Sequence, residues 1–115
     1  MDLERDAPLV EEALDHLTRA VRAGAAAGLR ALIVVHGYGS SGKGGRIGRA
    51  VREGLANNHW ADRIEETIPC EELTRGSPLL ANLSRHRAAL ARELERSRML
   101  GNAGASVLIF RKLIA

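Results

Sequence analysis

Apolar residues recur at helical spacing in the segment PLVEEALDHLTRAVRAGAAAGL, residues 8–29. They lie three or four positions apart and charged residues fill the positions between them, which is typical of an amphipathic helix with one face in the core. Asp6 is the predicted N-cap of this helix, and Gly28 is the predicted residue at its end. The apolar positions are Val10, Leu14, Leu17 and Val21.

Short continuous runs of branched apolar residues predict two buried strands. They are RALIVV, residues 30–35, and SVLIF, residues 106–110. A weaker strand is predicted in ADRIEETIPC, residues 61–70, before a turn at Pro69, and MDLER, residues 1–5, is predicted as an opening edge strand. Strands of this kind that alternate with helices favour an α/β fold.

Two further helices are predicted from the same helical spacing. The first is GRIGRAVREGLANN, residues 45–58, with apolar residues at Ile47, Val51 and Leu55. The second is TRGSPLLANLSRHRAALARELERSRML, residues 74–100, predicted as one helix that Ser77 caps and that stops at Gly101. Its apolar stripe consists of Leu79, Leu83, Leu90 and Leu94.

The composition is that of a single soluble domain. The chain has 115 residues, 45% of them hydrophobic and 27% charged, which suits one globular unit. No apolar run approaches the roughly 18 residues that span a bilayer, and the acidic start MDLERDAPL is not that of a secretory signal. The single Cys70 excludes an internal disulfide and a cysteine-based zinc site, favours a cytoplasmic location, and is expected to be buried rather than nucleophilic.

Charge is distributed unevenly along the chain, although the net charge is only +3. Residues 1–15 carry six acids and one base, residues 36–63 carry five bases and two acids, and residues 85–112 carry seven bases and two acids. Basic clusters around a glycine-rich segment favour a polyanion as the partner, and no membrane partner is expected. With only three aromatic residues in the chain, base-stacking platforms are not expected.

The segment HGYGSSGKGG, residues 36–45, contains five glycines between a predicted strand and a predicted helix. The start of a helix presents N–H groups without intrahelical partners and carries partial positive charge, and glycines let a ligand approach the backbone closely. These features predict a phosphate-binding site, and a surface connection that only caps the helix is the alternative. The predicted phosphate-binding residues are Gly37, Gly39, Ser40, Ser41, Gly42, Lys43, Gly44, Arg46 and Arg49.

The same glycines permit a second interpretation as the phosphate-binding loop of a nucleotide hydrolase. Gly37, Gly42 and Lys43 fit the pattern G-x-x-x-x-G-K. The next position should carry the hydroxyl that holds magnesium, but it is Gly44. A P-loop-like nucleotide-binding protein is therefore the weaker alternative.

Three motifs of the chain, in the same order, resemble those of the small MutS-related (Smr) domain family. LERDAPLVEEAL, residues 3–14, aligns without a gap with an opening motif of leucine, aspartate, leucine, histidine and glycine before a helix, with Glu4 in the aspartate position and Asp6 in the histidine position. LIVVHGYGSSGKGGRIGRAVREGL, residues 32–55, is similar to the second motif, His-Gly-x-Gly after an apolar strand. GNAGASVLIF, residues 101–110, is similar to the third, a glycine-rich turn before a closing strand.

The resemblance implies a fold. It is a two-layer α/β sandwich with a mixed sheet of about four strands and two packed helices, similar to the C-terminal domain of translation initiation factor three. Residues 1–115 would then form a single Smr-like domain, and residues 70–100, longer than the usual connection, would be an inserted helix. In this alignment His36, Gly37 and Gly39 belong to the second motif, and Gly101 and Gly104, of the third motif, join the phosphate-binding residues.

The resemblance also implies binding of DNA or RNA and endonuclease activity, the hydrolysis of phosphodiester bonds. The candidate catalytic residues are His36, Glu4 and Asp6. The imidazole would act as acid or base, and the carboxylates would orient it or hold Mg²⁺ or Mn²⁺ with it. In the alternatives, His36 only bonds backbone, the carboxylates are solvated, and the domain is a catalytically inactive interaction module that docks a partner through Leu90 and Leu94.

Overall fold

The computed structural model describes residues 1–3, 9–37 and 42–112, and for residues 42–44 it describes the backbone only. This part of the chain contains four α-helices and three β-strands, so the α/β class is confirmed. In chain order the elements are α1 (Val10–Ala26), β1 (Ala31–Val35), α2 (Gly42–Ala56), β2 (Ile64–Pro69), a 3₁₀ turn (Cys70–Glu72), α3 (Pro78–His86), α4 (Ala88–Arg96) and β3 (Ala105–Phe110).

The last strand in the chain lies at the centre of the sheet. The strand order is β1-β3-β2, and β3 pairs antiparallel with both neighbours. Val34 lies opposite Ser106 on one side of β3, and Ile68 lies opposite Val107 on the other. All six residues of β3 are buried, as expected for a central strand that is covered on both faces.

The first residues of the chain lie beside β1. Asp2 forms an isolated parallel bridge with Val35, whose N–H donates to the carbonyl oxygen of Met1 at 2.7 Å. Leu3 is fully buried in the core. In the described residues 1–3 the predicted edge strand is therefore reduced to this single bridge at Asp2, and the four-strand detail of the expected mixed sheet is not confirmed in the described chain.

Helices cover both faces of the sheet. α1 and α2 cover one face, where Leu17, Val21 and Ile47 form a core with Val34 and Leu108. This sheet and these two helices form two layers, and the helices on the opposite face add a third layer to the expected two-layer sandwich. The opposite face is covered by α3 and α4, where Leu83 and Leu94 form a second core with the alternate residues of β3. The side chains of β3 thus divide between the two cores because neighbours along a strand point to opposite faces.

A bulge in β2 assigns its two isoleucines to different cores. Ile64 pairs with Phe110 and Ile68 pairs with Val107, and the register shifts between Ile64 and Glu66. In a regular strand residues four apart share one face. The extra residue reverses this, so Ile64 packs with α1 and α2 whereas Ile68 packs with α3 and α4.

Two helices, α3 and α4, lie within residues 74–100, so the prediction of one continuous helix over this range was wrong. Oγ of Ser77 accepts a hydrogen bond from the N–H of Leu80 at 3.1 Å, as its predicted role as N-cap requires. The helix nevertheless ends at His86, and a second helix begins after Arg87. A continuous helix would place Leu83 and Leu94 about 16 Å apart along its axis. The break lets both leucines pack in the same core.

The predicted start of α1 was also wrong. The helix begins at Val10 with Leu9 in the N-cap position, so Asp6 is not its N-cap. Its end at Ala26, just before Gly28, agrees with the prediction. No helix in the described ranges has the length and apolarity that crossing a bilayer requires.

Helix α2 packs directly on the backbone that follows β1. A Cβ atom added at Gly48 would lie 2.2 Å from the carbonyl oxygen of Gly37 and 3.0 Å from that of His36. Gly48 therefore has no room for a side chain, and this contact fixes the position of α2 over the end of the sheet.

We expect Gly48→Ala to destabilise the fold by about 1–3 kcal/mol, because the added methyl group must displace α2 or the Gly37 peptide. Helix propensity alone predicts the opposite sign, a gain of about 1 kcal/mol. Urea denaturation of both proteins measures the difference. Arg49→Ala, at an exposed position of the same helix, is the control and should stay within about 0.5 kcal/mol. A more stable Gly48→Ala protein would contradict the close packing.

Candidate functional site

The glycine-rich motifs of the sequence meet at one end of the sheet. Because β3 is antiparallel to both neighbours, the ends of β1 and β2 lie beside the start of β3. His36 and Gly37 follow β1, Gly104 precedes β3, and the 3₁₀ turn follows β2. The second and third sequence motifs are therefore adjacent in space, as their joint assignment to one site requires.

A single carbonyl group joins these two motifs. The oxygen of Gly104 accepts the N–H groups of His36 at 2.8 Å and of Gly37 at 3.0 Å. The N–H of Gly104 in turn donates to the side-chain oxygen of Asn102 at 2.7 Å. Gly37 has a φ of 84°, a left-handed conformation that glycine adopts without a steric penalty. This glycine lets the chain turn out of β1 while both amides remain bonded.

The ring of His36 is held inside the protein, with an exposed fraction of 1%. Its Nδ1 lies 2.8 Å from the carbonyl oxygen of Gly37, and its Nε2 lies 3.0 Å from Oγ of Ser106. A carbonyl oxygen can only accept, so in the neutral ring Nδ1 carries the hydrogen and Nε2 accepts from the Ser106 hydroxyl. We call His36, Gly37, Gly104 and Ser106 the His36 network.

Burial lowers the pKa of His36 below its ordinary value of 6.5, because desolvation penalises the charged ring. The hydrogen bond to the Gly37 carbonyl opposes this shift, the Arg52 guanidinium adds to it, and the Glu71 carboxylate opposes it. The neutral ring is therefore the form that the folded protein favours. Both of its nitrogen atoms are engaged within the protein, so in this conformation the ring holds the Gly37 carbonyl at the end of β1 and is shielded from solvent.

Three of the predicted phosphate-binding glycines use their N–H groups within the protein. The amides of Gly37 and Gly104 belong to the hydrogen bonds just described, and the N–H of Gly101 donates to the carbonyl oxygen of Cys70 at 2.9 Å. These glycines shape the end of the sheet and do not offer N–H groups to a ligand. The alternative that His36 only bonds backbone at the strand end describes its contact with Gly37, but its other ring nitrogen bonds the side chain of Ser106.

Cations extend from this end of the sheet along the exposed side of α2. Arg46, Arg49 and Arg52 lie three residues apart and are all exposed. None of the three forms an ion pair within the described residues. We call these three residues the arginine row. Gly45 and Gly48, on the inner side of the helix, are buried.

The structure does not describe the side chains of the other predicted site residues. Glu4, Asp6, Gly39, Ser40 and Ser41 lie outside the described residues, and Gly42, Lys43 and Gly44 are described as the first backbone residues of α2. Within the ranges 1–3, 9–37 and 42–112, no three His, Cys, Asp or Glu side chains lie close enough together to hold a metal ion. With its ring nitrogens engaged, His36 does not fit as a ligand for Mg²⁺ or Mn²⁺.

The free cysteine near this site has a structural role. Cys70 is fully buried at the start of the 3₁₀ turn, as expected from the sequence. Burial raises the pKa of its thiol to about 11. The neutral thiol therefore dominates near pH 7, and Cys70 is not the nucleophile of this site.

Three residues near the site were not predicted to take part in it. Ser106 is the only polar residue in the run SVLIF, which was the signal that it has a specific partner. Arg52 continues the three-residue spacing of Arg46 and Arg49. Gly48 lies on the inner side of a predicted helix, where glycine is costly unless it allows a close approach.

Comparison with known proteins gives one match. A family model described as the Smr domain matches residues 8–72, which is more than half of the chain. The matched range includes α1, β1, the glycine-rich loop, α2 and β2, and it ends before α3. No curated protein and no solved structure matches the chain significantly.

The lowered pKa of His36 has a measurable consequence for stability. The unfolded chain protonates the His36 ring more readily than the folded protein does. The contribution of the neutral ring to the free energy of unfolding is therefore fully present above pH 6.5, and it is lost as the pH falls below 6.5 toward the folded-state pKa. The slope is at most about 1.4 kcal/mol per pH unit. Urea denaturation across this pH range should show this pH dependence of the free energy of unfolding in the wild type, and His36→Gln should not show it.

An NMR titration of the histidine signals provides the direct check on this interpretation. The His36 ring should titrate below 6.5. A His36 pKa above 6.5, or the same pH dependence of unfolding in His36→Gln, would contradict a buried neutral ring.

Proposed function

Because the chain belongs to the Smr domain family, we propose that it binds the phosphate groups of DNA or RNA at the start of α2 and along the arginine row. Membership in the family indicates a nucleic-acid-binding or nuclease-like function in general. The assignment of this function to the start of α2 is our own. The observation that carries this proposal is the arginine row on α2, the helix that starts within the glycine-rich segment. Its three cations are exposed and form no ion pair within the described chain.

The backbone at the start of α2 supports this assignment. The first N–H groups of any α-helix lack intrahelical partners, and the helix dipole places partial positive charge there. α2 begins at Gly42, and its first turn carries no acidic residue. Phosphate oxygens would accept from these N–H groups, while Arg46 adds a formal positive charge one turn further along.

The buried side of α2 supports a fixed geometry for this site. Gly45 and Gly48 face inward, and Gly48 contacts the peptide of Gly37. The N–H of Gly37 in turn donates to the carbonyl oxygen of Gly104, and the carbonyl oxygen of Gly37 accepts from the His36 ring. A helix held in this way keeps its N-terminus and its arginines in place before the ligand arrives, which lowers the entropy cost of binding.

Contacts to backbone phosphates predict that the protein binds nucleic acids without a strong preference for base sequence. Phosphate contacts position a protein on nucleic acid but carry no base information. The arginine row alone provides three charged contacts to backbone oxygens, and guanidinium groups suit phosphate geometry. DNA and RNA share this backbone chemistry, so the proposal covers both.

We propose that phosphodiester cleavage, where it occurs, takes place at this same end of the sheet with His36 as a positioning residue. Its ring nitrogens contact Gly37 and Ser106, so it acts by holding the loop that follows β1. The roles expected for Glu4 and Asp6 from the family motif remain proposals, since both lie outside the described residues.

The sheet order supports one domain that includes the inserted helices. β3, at residues 105–110, lies between β1 and β2, so the range that matches the family model cannot complete the sheet by itself. We therefore propose that residues 1–115 form a single Smr-like domain with an insertion at residues 70–100.

Two alternative functions have weaker support. An interaction module that docks through the leucine stripe would need that stripe free, but Leu94 is fully buried and Leu90 packs against the same core. A nucleotide hydrolase of the P-loop type would need a hydroxyl after Lys43, where the chain has Gly44.

Replacement of the arginine row by alanine should weaken binding to every duplex sequence alike. Removal of three phosphate contacts should reduce the slope of log affinity against log salt by about 2.7, since each contact contributes about 0.9 for duplex DNA. Fluorescence anisotropy with labelled duplexes at several salt concentrations measures this. The control is Arg75→Ala with Arg85→Ala and Arg92→Ala, which removes the same charge from exposed positions around the inserted helices. Equal losses in both triple variants would contradict the proposed site.

Incubation with supercoiled plasmid and structured RNA, with and without Mg²⁺ or Mn²⁺, tests the proposed cleavage. If His36 positions the loop, His36→Ala should lower the cleavage rate, and His36→Gln, which can still donate a hydrogen bond, should restore part of it. A wild-type protein that binds but cleaves neither substrate would reject the nuclease part of the proposal. Cleavage unchanged in His36→Ala would indicate a contaminating enzyme or another site.

A further inference from the structure

A second basic surface lies at the opposite end of the sheet from the His36 network. It is a cleft of about 710 Å³ where β1 begins and β3 ends. Arg30 precedes β1, Arg111 follows β3, and the end of α1 borders the cleft at Gly28. We call it the basic cleft.

Among the charged side chains that line the basic cleft, cations outnumber acids. Three of them make no ion pair within the described residues, so the cleft carries a positive field that an anionic ligand would neutralise. These three are Arg30, Arg87 and Lys112. Two further cations are partly engaged, since Arg63 pairs with Asp62 and Nε of Arg111 donates to the carbonyl oxygen of Ala61 at 2.5 Å. Glu65 is the other acid of the lining.

The floor of the basic cleft is apolar. Ala25, Leu29 and Phe110 contribute to it. Leu29 has an exposed fraction of 49%, and few large hydrophobic residues of the described chain are as exposed. A ligand that matches the cleft therefore combines negative charge with an apolar surface. A duplex presents mainly its charged backbone outward, whereas an unpaired nucleotide presents a phosphate together with the face of its base.

We propose that the basic cleft holds one or two unpaired nucleotides of the same nucleic acid that binds at the start of α2. The cations would contact the phosphates, and Leu29 would contact a base. This inference rests on the proposed function and adds a substrate class to it, namely a nucleic acid with a single-stranded extension. The six residues of β3 separate the two sites by roughly 20 Å, so the extension must be several nucleotides long.

The test compares two labelled probes, a blunt hairpin stem of about 12 base pairs and the same stem with an extension of about ten nucleotides, each as RNA and as DNA. At about 50 mM salt, the extension should strengthen wild-type binding about tenfold, because the second contact becomes intramolecular. Arg30→Ala with Lys112→Ala should abolish this gain and leave binding to the blunt stem unchanged. Leu29→Ser, which alters no charge, should also reduce the gain.

The matched control for charge is Arg75→Ala with Arg92→Ala, which should keep the full gain. The inference is overturned if the extension adds nothing in the wild type, or if the gain survives both cleft variants. A gain that survives only Leu29→Ser would overturn the base contact. Failure of the proposed function has a different signature, in which the alanine variant of the arginine row keeps full affinity for the blunt stem.

Discussion

The backbone of Gly37 is the point on which the rest of this site depends. Its N–H donates to the carbonyl oxygen of Gly104, and its own carbonyl oxygen accepts from Nδ1 of His36. The same oxygen occupies the space that a side chain at Gly48 would need. One residue thereby connects the end of β1, the start of β3, the buried histidine and α2. Because interiors are close-packed, movement of any of these four parts must disturb the other three.

This arrangement separates support from binding. Residues of the His36 network bond one another inside the protein. No buried side-chain polar atom in the described chain lacks a partner. The arginine row points outward from α2, which packs on this network through Gly48, and forms no ion pair within the described residues. A rigid inner face with a cationic outer face suits recognition of a backbone that repeats the same charge and shape at every nucleotide.

Much of this architecture could be predicted from the sequence, and the reasons for the remaining errors are physical. The sequence of β3 is a nearly continuous apolar run because both faces of the central strand are buried. The sequence of α1 is amphipathic because only one face of this helix is buried. The break at Arg87 and the bulge after Ile64 carry no glycine or proline signal, since packing on a shared sheet produces them. The local pattern likewise indicates that His36 follows β1, but it does not reveal that the ring is buried and bonded to Ser106, 70 residues away.

The central claim is that nucleic-acid phosphates bind at the start of α2. An NMR titration of the isotope-labelled protein with a short duplex tests it most directly, because each backbone amide reports its own surroundings. The account predicts that the largest shifts occur in the first turn of α2 and along the arginine row, between residues 42 and 52. Saturable binding that shifts only amides elsewhere, such as those of α3 and α4, would contradict it.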